Sequence, residues 1–333
     1  MGIFVFLPLI LPLTALPMSR FAEQHLHPRA AARLLTAVAA ILALCSTVSL
    51  VLLVIVGTAQ LPGNPLPDSW SDPEVREAVP CDEIAGKVSI GALALVLLGW
   101  GSTVRRHFRY RAGAHRALAG LRTASQIAVL TDEEPYAYAL PGASSASGRS
   151  GGRPGRVLVS TGMLAALTDT ERHALLAHER AHLAGRHHRL LLAVRLAGCA
   201  NPLLRPLREA VGYCTERWAD EEAARATGDR RTTARAVAKA ALLSARAASG
   251  PASGPTSGGV RFPGLAAFAE AGPVPRRVAA LLGPVPPVNG WSSALTSAAL
   301  APVVAAAGTA ASTLSTLNAA AGLFVVLEAA TFG

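Results

Sequence analysis

The pentad His178-Glu179-Arg180-Ala181-His182 sets two imidazoles four residues apart. On a helix both project from one face and can share a metal ion, while Glu179 turns toward the space beside it. Neutral imidazoles suit zinc, and a carboxylate next to a zinc-activated water can take its proton. The chemistry implied is peptide hydrolysis. A five-residue pattern with two free positions also arises by chance, so the weight falls on what accompanies it. In Glu216-Arg217-Trp218-Ala219-Asp220 two carboxylates again stand four apart. A catalytic zinc takes three protein ligands and keeps one open position, so His178, His182 and Glu216 would complete the set. Asp220, one turn further on, is placed to hydrogen-bond the far nitrogen of a liganding histidine and fix its tautomer. The bland reading of Asp220, Glu221 and Glu222 is a solvated acidic face.

These side chains need two helices to hold them. Thr168 and Glu171 form an S/T-x-x-E capping box ahead of Ala174, Leu175 and Leu176, which starts the first helix; Gly185 offers its end. The second is expected over Arg208 to Thr227, closed by Gly228. Between them, Leu190 to Leu204 is apolar enough to suggest a span, but Arg195 interrupts it, and a crossing would put the ligands on opposite sides of a bilayer. A buried or membrane-grazing helix is expected instead. Ahead of the motif, Gln126 to Leu130, Tyr136 to Leu140 and Arg156 to Ser160 read as strands of a small sheet. An extended substrate could add to an exposed edge at Tyr136, Ala137, Tyr138 and Ala139; simple packing is the alternative. Gly142 to Gly155 reads as a flexible loop.

The remainder of the chain is too apolar for an ordinary soluble protein: 51% of its 333 residues are hydrophobic and 16% charged, with mean hydropathy +0.37. Ile3 to Pro17 is apolar and lacks a basic leader, so a retained span is expected there rather than a cleaved signal. Leu34 to Gly57 is uncharged and long enough for a bilayer core, Val88 to Val104 is at the lower limit, and one span, or two short ones, lies within Ala294 to Leu327. Arg20, Arg29 and Arg33 follow the first span and Arg105, Arg106, Arg109, Arg111 and Arg116 the third, whereas an acidic loop joins the second to the third. The positive-inside rule then puts the arginines and the zinc helix in the cytoplasm. The formal charge of +10 is accounted for by these flanks and their contact with anionic lipid. Direct nucleic-acid binding is not expected, since zinc-finger spacing and interleaved aromatic and basic residues are missing.

The expected fold is an α-helical integral membrane protein with a cytoplasmic α+β zinc peptidase domain: residues 1–104 carry three spans and the acidic loop, 105–248 the peptidase domain, 249–290 a flexible linker with a short docking segment, and 291–333 the last span. Arg276, Arg277, Val278, Leu281 and Leu282 would form that segment, docked on the domain or lying at the membrane surface. The cysteines, Cys45, Cys81, Cys199 and Cys214, share no oxidising compartment, so no structural disulfide is expected. Cys214 lies on a different helix face from Glu216 and is not counted as a ligand. No oxyanion-stabilising group is identifiable among Arg186, His187, His188 and Tyr213, and His187 and His188 read as a basic helix end facing lipid headgroups.

The run Pro135 to Gly142, then Val159-Ser160-Thr161-Gly162-Met163-Leu164, then His178 to His182, then Glu216 to Asp220 with Ala223 resembles the order in membrane gluzincin peptidases, in two families: BlaR/MecR-type antirepressor metallopeptidases and HtpX/Ste24-type membrane proteases. The resemblance covers about Gln126 to Gly228, and the layout of spans is more similar to the first family. It implies a gluzincin-like zinc endopeptidase in a bacterial-type plasma membrane, with one Zn2+ per chain. Position by position it makes His178, His182 and Glu216 the ligands, Glu179 the general base and Asp220 the partner of a ligand. It further implies a protein substrate, a BlaI/MecI-type winged-helix repressor. The penicillin-binding set S-x-x-K, S-D-N and K-T-G is missing, so beta-lactam sensing by that route is not expected. A quality-control protease like HtpX and a zinc-binding scaffold without turnover are the alternatives; an intact Glu179 argues against the scaffold.

Overall fold

The structure is a computed structural model and describes residues 2–59, 82–118, 126–142, 154–249, 273–286 and 300–332. Most of the acidic loop, Cys81, the Gly/Ser-rich loop and the Ser/Gly/Pro-rich linker lie outside the described residues.

Among the described residues, four helical stretches are long and apolar enough to cross a membrane: Gly2–His25, Pro28–Thr58, Ile84–Arg116 and Leu300–Ala329. The first is uneven. Pro8, Pro12 and Pro17 each remove a backbone donor, and the chain passes through 3-10 turns at Gly2–Phe6 and Leu11–Thr14 before α1 (Ala15–His25) becomes regular. Helices α2 (Pro28–Ala59) and α3 (Asp82–Ala117) pack along each other. α3 is longer than a bilayer core needs, so its basic end extends past the apolar stretch.

Strands β1 (Ile127–Leu130), β2 (Ala137–Leu140) and β3 (Arg156–Ser160) form the expected small sheet in the order β1-β3-β2, with β1 parallel and β2 antiparallel to β3. β3 is central and carries the buried Val157, Leu158 and Val159; β2 is an edge. Ser160 caps the short α4 (Thr161–Ala166) by accepting from the Met163 amide. α5 (Asp169–Ala184) then starts on the predicted capping box: the Thr168 amide donates to Glu171 at 2.9 Å and the Glu171 amide to Thr168 Oγ1 at 3.4 Å. Lys239 of α8 (Arg230–Ser249) pairs with the same glutamate.

α5 ends at Gly185, and Arg186 adopts a left-handed conformation (φ 51°) that turns the chain into α6 (His187–Ala200). Such a backbone is unusual without glycine. Gly185 has its own reason: a Cβ there would collide with the His187 ring. α6 is the buried helix expected between the ligands. Trp100 of α3 donates its indole N–H to the Leu196 carbonyl at 2.9 Å. Asn201 breaks the helix; its amide nitrogen donates to the Leu9 carbonyl and to Ser46, fastening the turn to the apolar helices.

α7 (Arg205–Thr227) begins beside Pro206 and ends at Gly228, whose φ of 70° supplies the left-handed stop. It is buried along most of its length. One continuous apolar cluster joins Met18, Leu35, Leu42, Val194, Leu207, Val211 and Trp218, so α1, α2, α6 and α7 share a core. Beyond the described linker ends, α9 (Val274–Leu282) docks on α7 and α8 through Leu281. Its expected alternative, a segment lying at the membrane surface, is not what the packing shows: Arg277 and Leu281 are buried. α10 (Leu300–Phe332) is one unbroken helix, long and apolar enough to cross a membrane. Cys45, Cys199 and Cys214 are free thiols, with Cys45 and Cys214 buried.

Candidate metal centre

α5 and α7 pack side by side and bring His178, His182 and Glu216 together. His178 Nε2 lies 3.1 Å from His182 Nε2 and 3.5 Å from Glu216 Oε2, and His182 Nε2 lies 3.4 Å from Glu216 Oε1. Ligand bonds of about 2.0–2.1 Å in a tetrahedron separate neighbouring ligand atoms by about 3.3 Å. The observed separations, which reach a different oxygen of Glu216 from each histidine, lie near that value, and one ligand atom from each residue lies within 4.8 Å of the others, so the donor set suits a zinc ion.

The atoms behind the ligands are also placed. Asp220, fully buried on α7, sets Oδ1 3.1 Å from His178 Nδ1; the approach is close although poorly aligned as a hydrogen bond. His182 Nδ1 lies 2.8 Å from His187 Nδ1. If His182 binds metal through Nε2, its Nδ1 carries the proton and donates to His187. His187 then holds its own proton on Nε2, which is buried without a partner. The ring of His187 rests on Trp218 at 4.5 Å between centroids, and the guanidinium groups of Arg29 and Arg33 lie 5.4 and 5.3 Å from that indole. The expectation that His187 faces headgroups is therefore overturned: it is 1% exposed and supports a candidate ligand. The signal in the sequence was Gly185, small enough to let the ring fold back. His188, half-buried, lines the cleft instead.

A further group that sequence reasoning left unassigned completes the site. Arg277 of α9 spans both carboxylates of α7: Nη1 is 2.8 Å from Glu216 Oε2, while Nη2 and Nε donate to Asp220 Oδ1 and Oδ2 at 2.6 and 2.8 Å. Planar guanidinium suits this forked geometry. Burial would raise the pKa of both carboxyls, but the charge of Arg277 and the histidines outweighs it and holds Glu216 and Asp220 below their usual range. For His178, burial lowers the pKa, yet the hydrogen bonds and charges of Asp220 and Glu216 push it up to about 10. His182, dominated by burial, is lowered to about 4, and His187 to about 2. Glu179, buried and beside Glu216, is pushed up to about 7 by burial, against the neighbouring charge of His178. That is the range a proton acceptor at neutral pH requires.

The cleft over these residues is about 110 Å³ and is walled on one side by Ala137, Tyr138 and Ala139 of β2 and on the other by Leu183, His187, His188 and Leu191. Of the four residues expected at a substrate edge, three line it. Tyr136 does not: its hydroxyl donates to Asp132 at 3.1 Å, and β2 begins one residue later. Tyr213 is also outside the cleft, stacked under Arg276 at 4.3 Å.

No curated protein and no solved structure matches this chain. The family model for Peptidase family M48 matches residues 110–205, a stretch that contains the sheet, α5 and α6 and stops before Glu216. Peptidases of that family are zinc-dependent, and the match does not extend to the BlaR/MecR-type antirepressors. Over that stretch the chain is similar to Peptidase family M48, and the His-His-Glu site and the four apolar stretches among the described residues agree with a membrane zinc metallopeptidase.

Proposed function

We propose that the protein is a zinc-dependent endopeptidase anchored in a membrane, with His178, His182 and Glu216 as ligands and Glu179 as general base. The carrying observation is the set of ligand-to-ligand separations, with a buried carboxyl beside them whose pKa lies near neutrality. Bound zinc would supply Lewis acidity, polarising a scissile carbonyl and making a water acidic near neutral pH. Glu179 takes the water's proton and returns it to the leaving amine. Asp220 and His187 hold the ligand rings in orientation, and Arg277 keeps Glu216 ionised. The outer edge of β2, where the Ala139 amide also donates to Glu179, presents backbone groups to an extended peptide.

By the arginine flanks of its apolar helices the cleft faces the cytoplasm. The resemblance to HtpX/Ste24-type membrane proteases favours membrane proteins or their cytoplasmic segments as substrates, in the manner of a quality-control protease. A winged-helix repressor is the second reading, favoured by one observation, the three apolar stretches before the domain and one after it. New protein N-termini in cells making the wild type are compared with those in cells making Glu179→Ala at equal abundance. Membrane-protein fragments found only with the wild type support the first reading, and a cut repressor supports the second. Identical N-termini in both, with zinc bound and the cells stressed, would sink the endopeptidase assignment.

A further inference from the structure

The metal cleft continues into a second groove, and His107, Arg111 and His188 belong to the walls of both. The groove adds Arg180, Arg186 and Arg189, all exposed, and no Asp or Glu lines it. Several other arginines of this domain have carboxylate partners: Arg277 with Asp220 and Glu216, Arg217 and Arg230 with Glu221, Arg225 with Glu222, Arg172 with Asp169. Here Arg111 donates to the Gly142 carbonyl, and no carboxylate partners Arg180, Arg186 or Arg189 among the described residues. Gathering like charge around one depression raises its energy unless a ligand of opposite sign offsets it, and guanidinium matches carboxylate geometry.

The position of the groove points to the occupant. Pro141 and Gly142, which line it, follow β2 directly. A peptide laid along the outer edge of β2, advancing about 3.3 Å per residue, therefore leaves the metal cleft into the arginine-lined groove. We propose that this groove binds an acidic segment of the substrate, so that Asp or Glu to one side of the scissile bond directs cleavage. The proposal rests on the endopeptidase reading for its cleavage part and on charge and continuity for its binding part.

The two parts separate in one experiment. Full-length Glu179→Ala, zinc-loaded in phosphatidylcholine nanodiscs, is titrated into a fluorescein-labelled peptide containing a run of Glu, and into the same peptide with Gln. The Glu peptide is expected to bind about ten-fold tighter, with the difference shrinking as salt rises. Arg180→Glu/Arg189→Glu should remove the preference, and Arg180→Gln/Arg189→Gln, a milder change at exposed positions, should give an intermediate value. Equal binding of the two peptides, or a preference that survives charge reversal, overturns the proposal. So does a charge reversal that alters only attachment to phosphatidylglycerol vesicles, which would make a lipid headgroup the ligand. A wild type that binds the acidic peptide but cuts no peptide overturns the endopeptidase reading alone; one that cuts without acidic preference overturns the directing role of the groove alone.

Discussion

The two ends of the cleft treat charge in opposite ways. At the metal end the buried carboxylates of α7 are compensated within the fold: Arg277 bridges Glu216 and Asp220, and Asp220 also faces His178. At the groove end Arg180, Arg186 and Arg189 stand together without a carboxylate. The first arrangement can exist because the protein supplies its own compensation, which burial demands. The second remains tolerable because water and salt screen exposed guanidinium groups. The contrast separates a scaffold built to hold a cation from a surface waiting for an anion.

The largest effect that would sharpen this comparison is on turnover. Glu179→Ala is expected to lower kcat by about 10²–10⁴-fold while zinc content, measured by atomic absorption, stays at one per chain. Loss of zinc together with activity would move Glu179 from the chemistry to the scaffold.

Next is the compensation itself. Arg277→Met leaves two buried carboxylates without their cation, and breaking a buried pair from one side costs about 3–5 kcal/mol. Thermal unfolding of the metal-free protein should show a large fall in Tm, which added zinc partly restores because it binds the folded state. An unchanged Tm would mean that Arg277 contributes nothing to holding the metal end.

A smaller effect is expected at His187. Replacing it with Phe keeps the stacking on Trp218 but removes the acceptor for His182 Nδ1. Changes of this kind reduce metal affinity by about 10–100-fold, readable by competition with a chelator. Full affinity in His187→Phe would show that the 2.8 Å contact is incidental.

The smallest effect is on pH dependence. His178 is raised from 6.5 to about 10 in the metal-free site, so its proton stabilises that form fully below about 6.5 and the contribution fades as pH rises toward 10. Zinc must displace this proton. Its apparent affinity should therefore climb with pH across that window, approaching about ten-fold per unit for one proton released. A flat profile would contradict the charge arrangement at the metal end.

Much of the site was legible along the chain because it is written at helical spacing. His178, Glu179 and His182 share one face, Thr168 and Glu171 start their helix, and Glu216 and Asp220 repeat the four-residue interval two helices later. The three short strands were legible for a different reason, as short runs of β-branched and aromatic residues between turn formers. His187 was misjudged because two adjacent histidines after an arginine read as a basic helix end. Only the left-handed turn at Arg186, beside a glycine with no Cβ to collide, folds that ring back onto His182. Arg277 had a visible place in a short amphipathic segment, but no local pattern tells a docked arginine from one at a membrane surface.

The sequence by itself determined which side chains can take a metal and a proton, because ligand chemistry and helical periodicity are local properties. It also determined where the apolar stretches lie, since length and composition suffice. Only the tertiary structure decided which groups stand behind those ligands and which cations stand unpaired. Arg277 reaches Asp220 across 57 positions of chain, and the groove gathers residues from α3, α5 and α6. Such long-range pairings are set by how packed helices meet, and a linear pattern does not carry that information.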